Sequence, residues 1–370
     1  MTTRIPTFDY LRTSVIILVV LHHSILAYAT FAQLDPATPI TFAPVVDSQK
    51  WIGFDLIALF NDTYFMSLLF FISGLFVWQS LTRKGVQQFI HDRLVRLGIP
   101  FVIGFPLLIP LAFFPGLLEI EQIFGGSTNY IDFWLSMAQA GFVTSGPLWF
   151  LWLLLTFNCI IVVLYRISLH LGDMSESRVS AILRHQLAFF GILTVISTFA
   201  WLPMVSAFGP FHWSGIGPFI FQTSRILLYL VYFLAGTVVG AFGIEKSMFK
   251  SDSKLAKYWW IWLIVGLIAW LNIQYYFAII TVACAAIVFG VIGIFLRFTK
   301  QRIGIIDNLS DNAYGIYIIH YVFVTWLQYW LLSANLHAIP KATIVFTGTL
   351  ILSWGSIAAI RRVPAVARVI

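Results

Sequence analysis

The sequence is short of charge. Only 10% of its 370 residues are Asp, Glu, Lys or Arg, and 60% are hydrophobic. A soluble domain carries roughly a quarter charged residues. So little charge cannot coat a water-facing surface, which excludes a soluble globular enzyme. The apolar excess equally excludes a disordered chain. Cysteine is nearly absent. Two thiols, Cys159 and Cys284, cannot build a disulfide scaffold, and both sit in apolar runs that predict buried core groups. The polar–apolar alternation of a membrane β-barrel is missing as well. There is no Gly-rich phosphate loop, no metal-spaced His/Cys cluster and no Gly-x-Ser-x-Gly elbow, so no metal is expected. The basic residues lie in short loops flanking apolar runs, which argues against nucleic acid as a partner.

Long apolar runs remain. Ten are read, at approximately 13–31, 63–80, 98–114, 147–165, 187–206, 223–242, 258–272, 275–296, 313–334 and 342–360. A membrane-spanning helix needs about 20 residues. The pattern therefore predicts an all-α bundle of about ten transmembrane helices embedded in membrane lipid, with 1–370 as a single domain. Only Ile273 and Gln274 separate the seventh and eighth runs, which requires a tight hairpin. Pro100, Pro106 and Pro110 in the third run predict a kinked helix whose freed backbone groups find partners on neighbouring helices.

The scarce charges are sorted. With ten spans and a cytoplasmic N-terminus, 19 of the 22 Lys and Arg, Arg4 and Arg178 among them, fall in cytoplasmic segments. Lys50, Arg225 and Lys341 alone fall outside. This asymmetry is the positive-inside signature. It predicts a multi-pass protein of the cell inner or plasma membrane with both termini cytoplasmic. The net charge of +7 is then a topology signal. A rival reading of the first run is a cleavable signal peptide, with Arg4 and Arg12 before the apolar stretch and Ala27-Tyr28-Ala29 after it. The polar residues within that run argue against cleavage.

An ionisable side chain at membrane depth is costly and marks a candidate site. His22 and His23 lie in the first run and His320 in the ninth. His23 is 11 residues beyond Arg12, roughly 16 Å along a helix, near the middle of a ~30 Å hydrocarbon core. His320 is nine residues beyond Asp311, about 14 Å from the same side. At 100° per residue, Arg12 and His23 share a face, Asp9 lies close to it, and His22 points about 100° away. The competing reading is that these imidazoles only hydrogen-bond within the bundle, with Tyr314, Tyr317 and Tyr321 as ordinary packing around His320. In the loop 83–96, Arg93 and Arg96 are three apart and suit the oxygens of a phosphate, with Arg83 nearby. The competing reading there is the positive-inside rule alone. Ser73-Gly74 reads as a close-packing position, with Ser73 kept as a secondary candidate.

These residues sit in phrases that resemble the acyltransferase 3 family of integral membrane acyltransferases. The phrases are Phe8-Asp9-Tyr10-Leu11-Arg12 followed by His22-His23-Ser24; Phe70-Phe71-Ile72-Ser73-Gly74 followed by Arg93-Leu94-Val95-Arg96-Leu97-Gly98-Ile99-Pro100; Gly146-Pro147-Leu148-Trp149-Phe150-Leu151; and Tyr314-Gly315-Ile316-Tyr317-Ile318-Ile319-His320. They occur in family order and cover nearly the whole chain. The branch most resembled is the glucan biosynthesis protein C, or glucan succinyltransferase, type. The family has an arginine, ten residues and a histidine, here Arg12 and His23; the additional His22 departs from that pattern.

The resemblance implies transfer of an acyl group, acetyl or succinyl, from cytoplasmic acyl-CoA to a hydroxyl of an extracytoplasmic carbohydrate or glycan. It implies His23 and Arg12 as the catalytic residues, with His23 as general base at mid-membrane and an acyl-histidine as the less favoured route. Arg93 and Arg96 would hold the CoA phosphates, with Arg12 and Arg83 helping. His320, Tyr317, His22, Asp9 and Ser73 are further candidates. Trp51, Trp134 and Trp213, in the loops 32–62, 115–146 and 207–222 predicted external, fit interfacial anchoring better than sugar stacking. Arg225 is the cation nearest mid-membrane for an acidic acyl group. The alternative function is a proton-coupled transporter or exporter, suggested by mid-membrane histidines and a proline-broken helix.

Overall fold

The computed structural model describes residues 6–34, 43–171, 181–273 and 278–370, without the side chains of 168–171. Arg4 and Arg178 of the charge asymmetry and Gln274 of the expected hairpin lie outside the described residues. The main elements are α1 (Pro6–Leu26), α2 (Ile52–Leu75), α3 (Val77–Lys84), α4 (Val86–Arg93), α5 (Ile99–Phe124), α6 (Tyr130–Gln139), α7 (Trp149–Leu171) and α8 (Gln186–Phe208). A hairpin of β1 (Trp213–Ile216) and β2 (Phe219–Gln222) follows. The chain ends with α9 (Ile226–Phe242), α10 (Trp259–Leu271), α11 (Ile279–Phe298), α12 (Gly304–Trp330) and α13 (Ala338–Ile360). The architecture is all-α apart from that hairpin.

Among the described residues, eight helical stretches are long and apolar enough to cross a membrane. Two of the ten expected runs fall outside that set for different reasons. α10 is strongly apolar but has only 13 residues, about 20 Å against a ~30 Å core. α12 has 27 residues, but its two aspartates, His320, Gln328 and several tyrosines dilute its hydropathy. The wide polar content of α12 follows from its position: it packs on α1, α5 and α13, so most of its face never meets lipid.

The proline-bearing helix explains much of the packing. α5 runs on through Pro106, Pro110 and Pro115, preceded by a π-helical turn over Leu94–Gly98. Each proline lacks the N–H that would satisfy the carbonyl four residues earlier. Pro100, Pro106, Pro110 and Pro115 therefore release the carbonyls of Arg96, Val102, Pro106 and Leu111. Three of these four have a side-chain donor. The Tyr314 hydroxyl donates to Arg96 O, Trp134 Nε1 donates to Pro106 O at 2.7 Å, and Trp326 Nε1 donates to Leu111 O at 3.0 Å. In a membrane such groups must find internal partners. Two of the three donors belong to α12, so the prolines of α5 act as docking points for α12. Trp326→Phe is expected to lower stability by about 1–3 kcal/mol, as loss of a partner for a buried carbonyl does. Pro115→Ala restores the missing N–H. In a double-mutant cycle followed by thermal unfolding, the Trp326→Phe effect should shrink by at least half in the Pro115→Ala background; equal effects in both backgrounds would exclude this role.

α2 and α9 meet along a glycine seam. A Cβ on Gly74 would lie 2.2 Å from Phe233 O, one on Gly236 2.1 Å from Phe71 O, and one on Gly240 2.0 Å from Leu75 O. Backbone approach this close needs glycine, as in small-residue membrane interfaces. The close-packing reading of Ser73-Gly74 therefore holds at Gly74. Gly236→Leu should abolish assembly, measured as loss of monodisperse protein after detergent extraction.

Several local expectations are corrected. The segment 115–146, read as an external loop, contains the last turns of α5 and all of α6. The segment 32–62 contains the start of α2, and 207–222 the β-hairpin. Polar residues next to apolar ones disguised these elements as loops. Cys284 is fully buried as expected, but Cys159 is exposed on the outer surface of α7. Around a lipid-facing helix, an apolar neighbourhood in sequence does not imply burial in protein. Trp134 is a carbonyl cap for α5, and Trp213 packs on Trp149 with ring centroids 5.7 Å apart.

Candidate active site

α12 serves as the positioning element. Along its length Tyr314 holds Arg96 O, the Tyr317 hydroxyl holds Pro147 O in the turn before α7, His320 meets His23, and Gln328 caps the end of α1. Gln328 Nε2 donates to His23 O at 3.0 Å and Ser24 O at 3.3 Å. Those carbonyls belong to the last turn of α1, where the helix has no intrahelical donors left. Gln328 thus fixes His23 at a helix end.

The two distant histidines come together: His320 Nε2 lies 3.1 Å from His23 Nδ1. Neighbouring carbonyls determine where the protons sit. His320 Nδ1 is 2.6 Å from Tyr317 O and His23 Nδ1 is 2.9 Å from Val19 O. A carbonyl oxygen only accepts, so both Nδ1 atoms carry hydrogen in the neutral rings. His23 Nδ1–H is then shared between Val19 O and the Nε2 lone pair of His320, and His23 Nε2 is left with its own lone pair free to take a proton. We assign these tautomers from the hydrogen-bond network. His320 is 0% exposed, whereas His23 keeps part of its surface accessible. The buried ring supports and the accessible ring can act. Tyr321 meets the His23 ring edge-on with centroids 5.0 Å apart.

His22 points elsewhere, as the helical phase requires. Its ring is perpendicular to that of His23 and lies 5.1 Å from Phe65 on α2. Its buried Nδ1 has no hydrogen-bond partner among the described residues. Arg12 is about 16 Å from His23 along α1, too far to touch the same reacting atom. It sits over the Phe76 ring, with Asp9 3.9 Å away. The spacing that suggested an Arg12–His23 pair instead connects two separate places on one helix face.

Arg12 joins a basic cluster. Arg93 is close enough to both Arg96 and Arg12 for their charges to act on it, and its guanidinium lies over the Phe89 ring. Arg93 belongs to the last turn of α4, and Arg96 to the π turn ahead of Pro100. The widened turn exposes Arg96 while Arg93 stays half-buried. Arg83 is exposed at the end of α3; its neighbour Lys84 pairs with Asp92. Ser73 is half-buried in α2 beside the glycine seam. Arg225, the cation considered for an acidic acyl group, is buried and paired with Asp62 at 2.6 Å, so its charge is already balanced. Lys50 and Lys341 are likewise engaged, Lys50 with Ala27 O and Ala32 O and Lys341 with Asp47. Burial pulls Lys50 below the usual lysine range, against Asp47, Glu119 and Asp55, which hold it up. All three cations assigned by sequence to the outer side therefore have internal partners. Gln328 and Trp326 went unnoticed in the sequence; a glutamine eight residues from a membrane histidine, a little over two helical turns, was the available signal for the first.

Long, strongly apolar helices make this a multi-pass integral membrane protein, with a histidine pair between α1 and α12 and a basic cluster at one end. The chain matches the Acyl_transf_3 family model, described as an acyltransferase domain, over residues 5–358. It belongs to the acyltransferase 3 family and is an acyltransferase for groups other than aminoacyl. The transporter alternative is thereby set aside. No curated protein and no solved structure matches the chain.

Proposed function

We propose that this protein transfers an acetyl or succinyl group from acyl-CoA to a hydroxyl of an extracytoplasmic carbohydrate or glycan. The observation that carries the reading is the relay Tyr317 O, His320, His23, which leaves His23 Nε2 as an accessible base. His23 Nε2 takes the proton of the acceptor hydroxyl as its oxygen attacks the thioester carbonyl. The tetrahedral intermediate collapses, the C–S bond breaks, and the departing CoA sulfur takes that proton back from His23. A base so positioned contributes roughly 10²–10⁴-fold. No acyl-histidine is needed. Asp9 restrains Arg12, and Arg12, Arg93 and Arg96 hold the CoA phosphates, with Arg83 at the rim. The pantetheine arm covers the distance to His23.

This reading takes residues 1–370 as one domain with ten membrane segments, α10 and α12 included, and both termini cytoplasmic. The basic asymmetry supports that orientation, which puts the arginine cluster where acyl-CoA is made. Likeness to the glucan succinyltransferase branch rests on the four sequence phrases; the match to the family is at family level. Arg93→Ala/Arg96→Ala is expected to raise the donor KM about 10–100-fold, as loss of charge-assisted hydrogen bonds does. CoA at about 100 times its Kd should stabilise the parent by roughly 2.7 kcal/mol and the variant far less. Equal stabilisation of both would remove the cluster from the donor site.

A further inference from the structure

A cleft of about 550 Å³ opens where the ends of α5 and α12 meet the start of α6. It lies at the end of the bundle opposite the arginine cluster, since α12 passes Arg96 near its start and this cleft at its last turn. Tyr329 on its wall follows Gln328, which caps α1, and stands nine residues from His320, about 14 Å along the helix. We propose that this cleft binds the sugar units of the acceptor on their way to His23. The inference rests on the acyl-transfer reading above for its purpose, but not for its ligand chemistry.

That chemistry comes from the lining. Glu121 Oε1 accepts from Thr128 N at 2.8 Å, which leaves Oε2 as an acceptor. Gln122 Nε2 donates to the Tyr329 hydroxyl at 2.6 Å, which leaves Gln122 Oε1 to accept and Tyr329 O–H to donate. The Ser127 hydroxyl can do either. Asn129 is occupied by backbone N–H groups of α6 and by Asp132, so it shapes the wall without offering its side chain. None of the lining residues is cationic, so a phosphate or carboxylate ligand finds no counter-charge. Acceptors and donors side by side, next to Leu118 and an aromatic ring, match adjacent hydroxyls of a neutral carbohydrate with its apolar C–H face. The loop is held to this shape: Gly126 takes φ +151°, and a Cβ there would meet Glu121 Cγ at 2.7 Å. Neighbouring Trp330 is 61% exposed and can report on occupancy by fluorescence.

The test uses the full chain in lipid nanodiscs. Maltopentaose, cellopentaose and chitotetraose are titrated singly and followed by tryptophan fluorescence and calorimetry. Glu121→Gln keeps the acceptor for Thr128 N, and Tyr329→Phe keeps the ring, so both variants should fold, and CoA should protect each against heating as it protects the parent. Binding of at least one oligosaccharide to the parent, weakened about tenfold or more in the double variant, is the expected result. The KM for glycan acceptor in native membranes should rise in parallel. Saccharide binding unchanged in the double variant, failure of all three saccharides to bind, or tighter binding of spermidine through Glu121 would each overturn the proposal. A parent that binds saccharide through this cleft but neither binds acyl-CoA nor transfers an acyl group would overturn the reading of His23 and its donor site while the cleft assignment stood.

Discussion

Replacing His23 with Ala is expected to lower acyl transfer about 10²–10⁴-fold in membranes containing normal amounts of the protein, because it removes the base without disturbing the donor cluster. CoA should still protect the variant against heating, since Arg12 lies about 16 Å away along α1 and Arg93 and Arg96 lie near it. In the proposed mechanism His320 acts through His23. His320→Phe leaves Val19 O as the one remaining acceptor for His23 Nδ1–H, loosening the ring, and should cost about tenfold or more in kcat with little change in donor KM. His320→Gln offers a carbonyl oxygen to the same N–H and should recover part of that loss, whereas a purely packing role for His320 would favour Phe over Gln. The double variant His23→Ala/His320→Phe should be no slower than His23→Ala, because residues acting as a unit are not additive. His22→Ala, whose ring faces Phe65, should stay within about threefold of the parent. Activity of His23→Ala within about twofold of the parent would sink the assignment.

A large loss of stability is expected at Lys341. Its Nζ lies 2.6 Å from Asp47, and both side chains are 1% exposed. The same ammonium donates to Leu332 O at 3.3 Å, while Asp47 accepts from Gln49 N and its own N–H donates to Ala27 O. The pair thus ties the segment after α1 to the start of α13. Lys341→Met would leave a buried carboxylate without its cation, a change that costs about 3–5 kcal/mol. Asp47→Leu together with Lys341→Met removes both charges and should recover most of that loss, since an apolar pair of similar volume is often neutral or better. Thermal unfolding in detergent, read by fluorescence, distinguishes the two. A Lys341→Met variant within about 1 kcal/mol of the parent would show that water reaches Asp47 and that the pair is not effectively buried.

Much of the membrane architecture was legible because it depends on local composition. A run of about 20 apolar residues has few ways to satisfy its backbone other than a helix in lipid. Runs matching α1, α7 and α11 could be read that way directly. α12 was legible as a run but not as a polar ruler, because its tyrosines, His320 and Gln328 have meaning only beside α1, α5 and α7. The prolines of α5 announced freed carbonyls; which side chains would serve them, Tyr314, Trp134 and Trp326, depends on elements far away in the chain. The segment 115–146 was misread because the end of α5 and the amphipathic α6 carry too many polar residues to look like a membrane run.

The order of residues alone shows that the chain is a helical membrane protein, that its basic residues are confined almost wholly to one set of loops, and that His23 and His320 reach similar depth. Those properties follow from hydropathy, charge and helical rise, which act along the chain. It took the folded chain to show that the two imidazoles touch, that carbonyls of Val19 and Tyr317 set their tautomers, and that Arg12 lies close enough to Arg93 for their charges to interact. The folded chain also shows that Lys50, Arg225 and Lys341 are internal partners and not surface charges. Proton positions and ion pairs depend on distances of a few ångströms between residues up to 297 positions apart, and helical periodicity carries no information about which helices become neighbours.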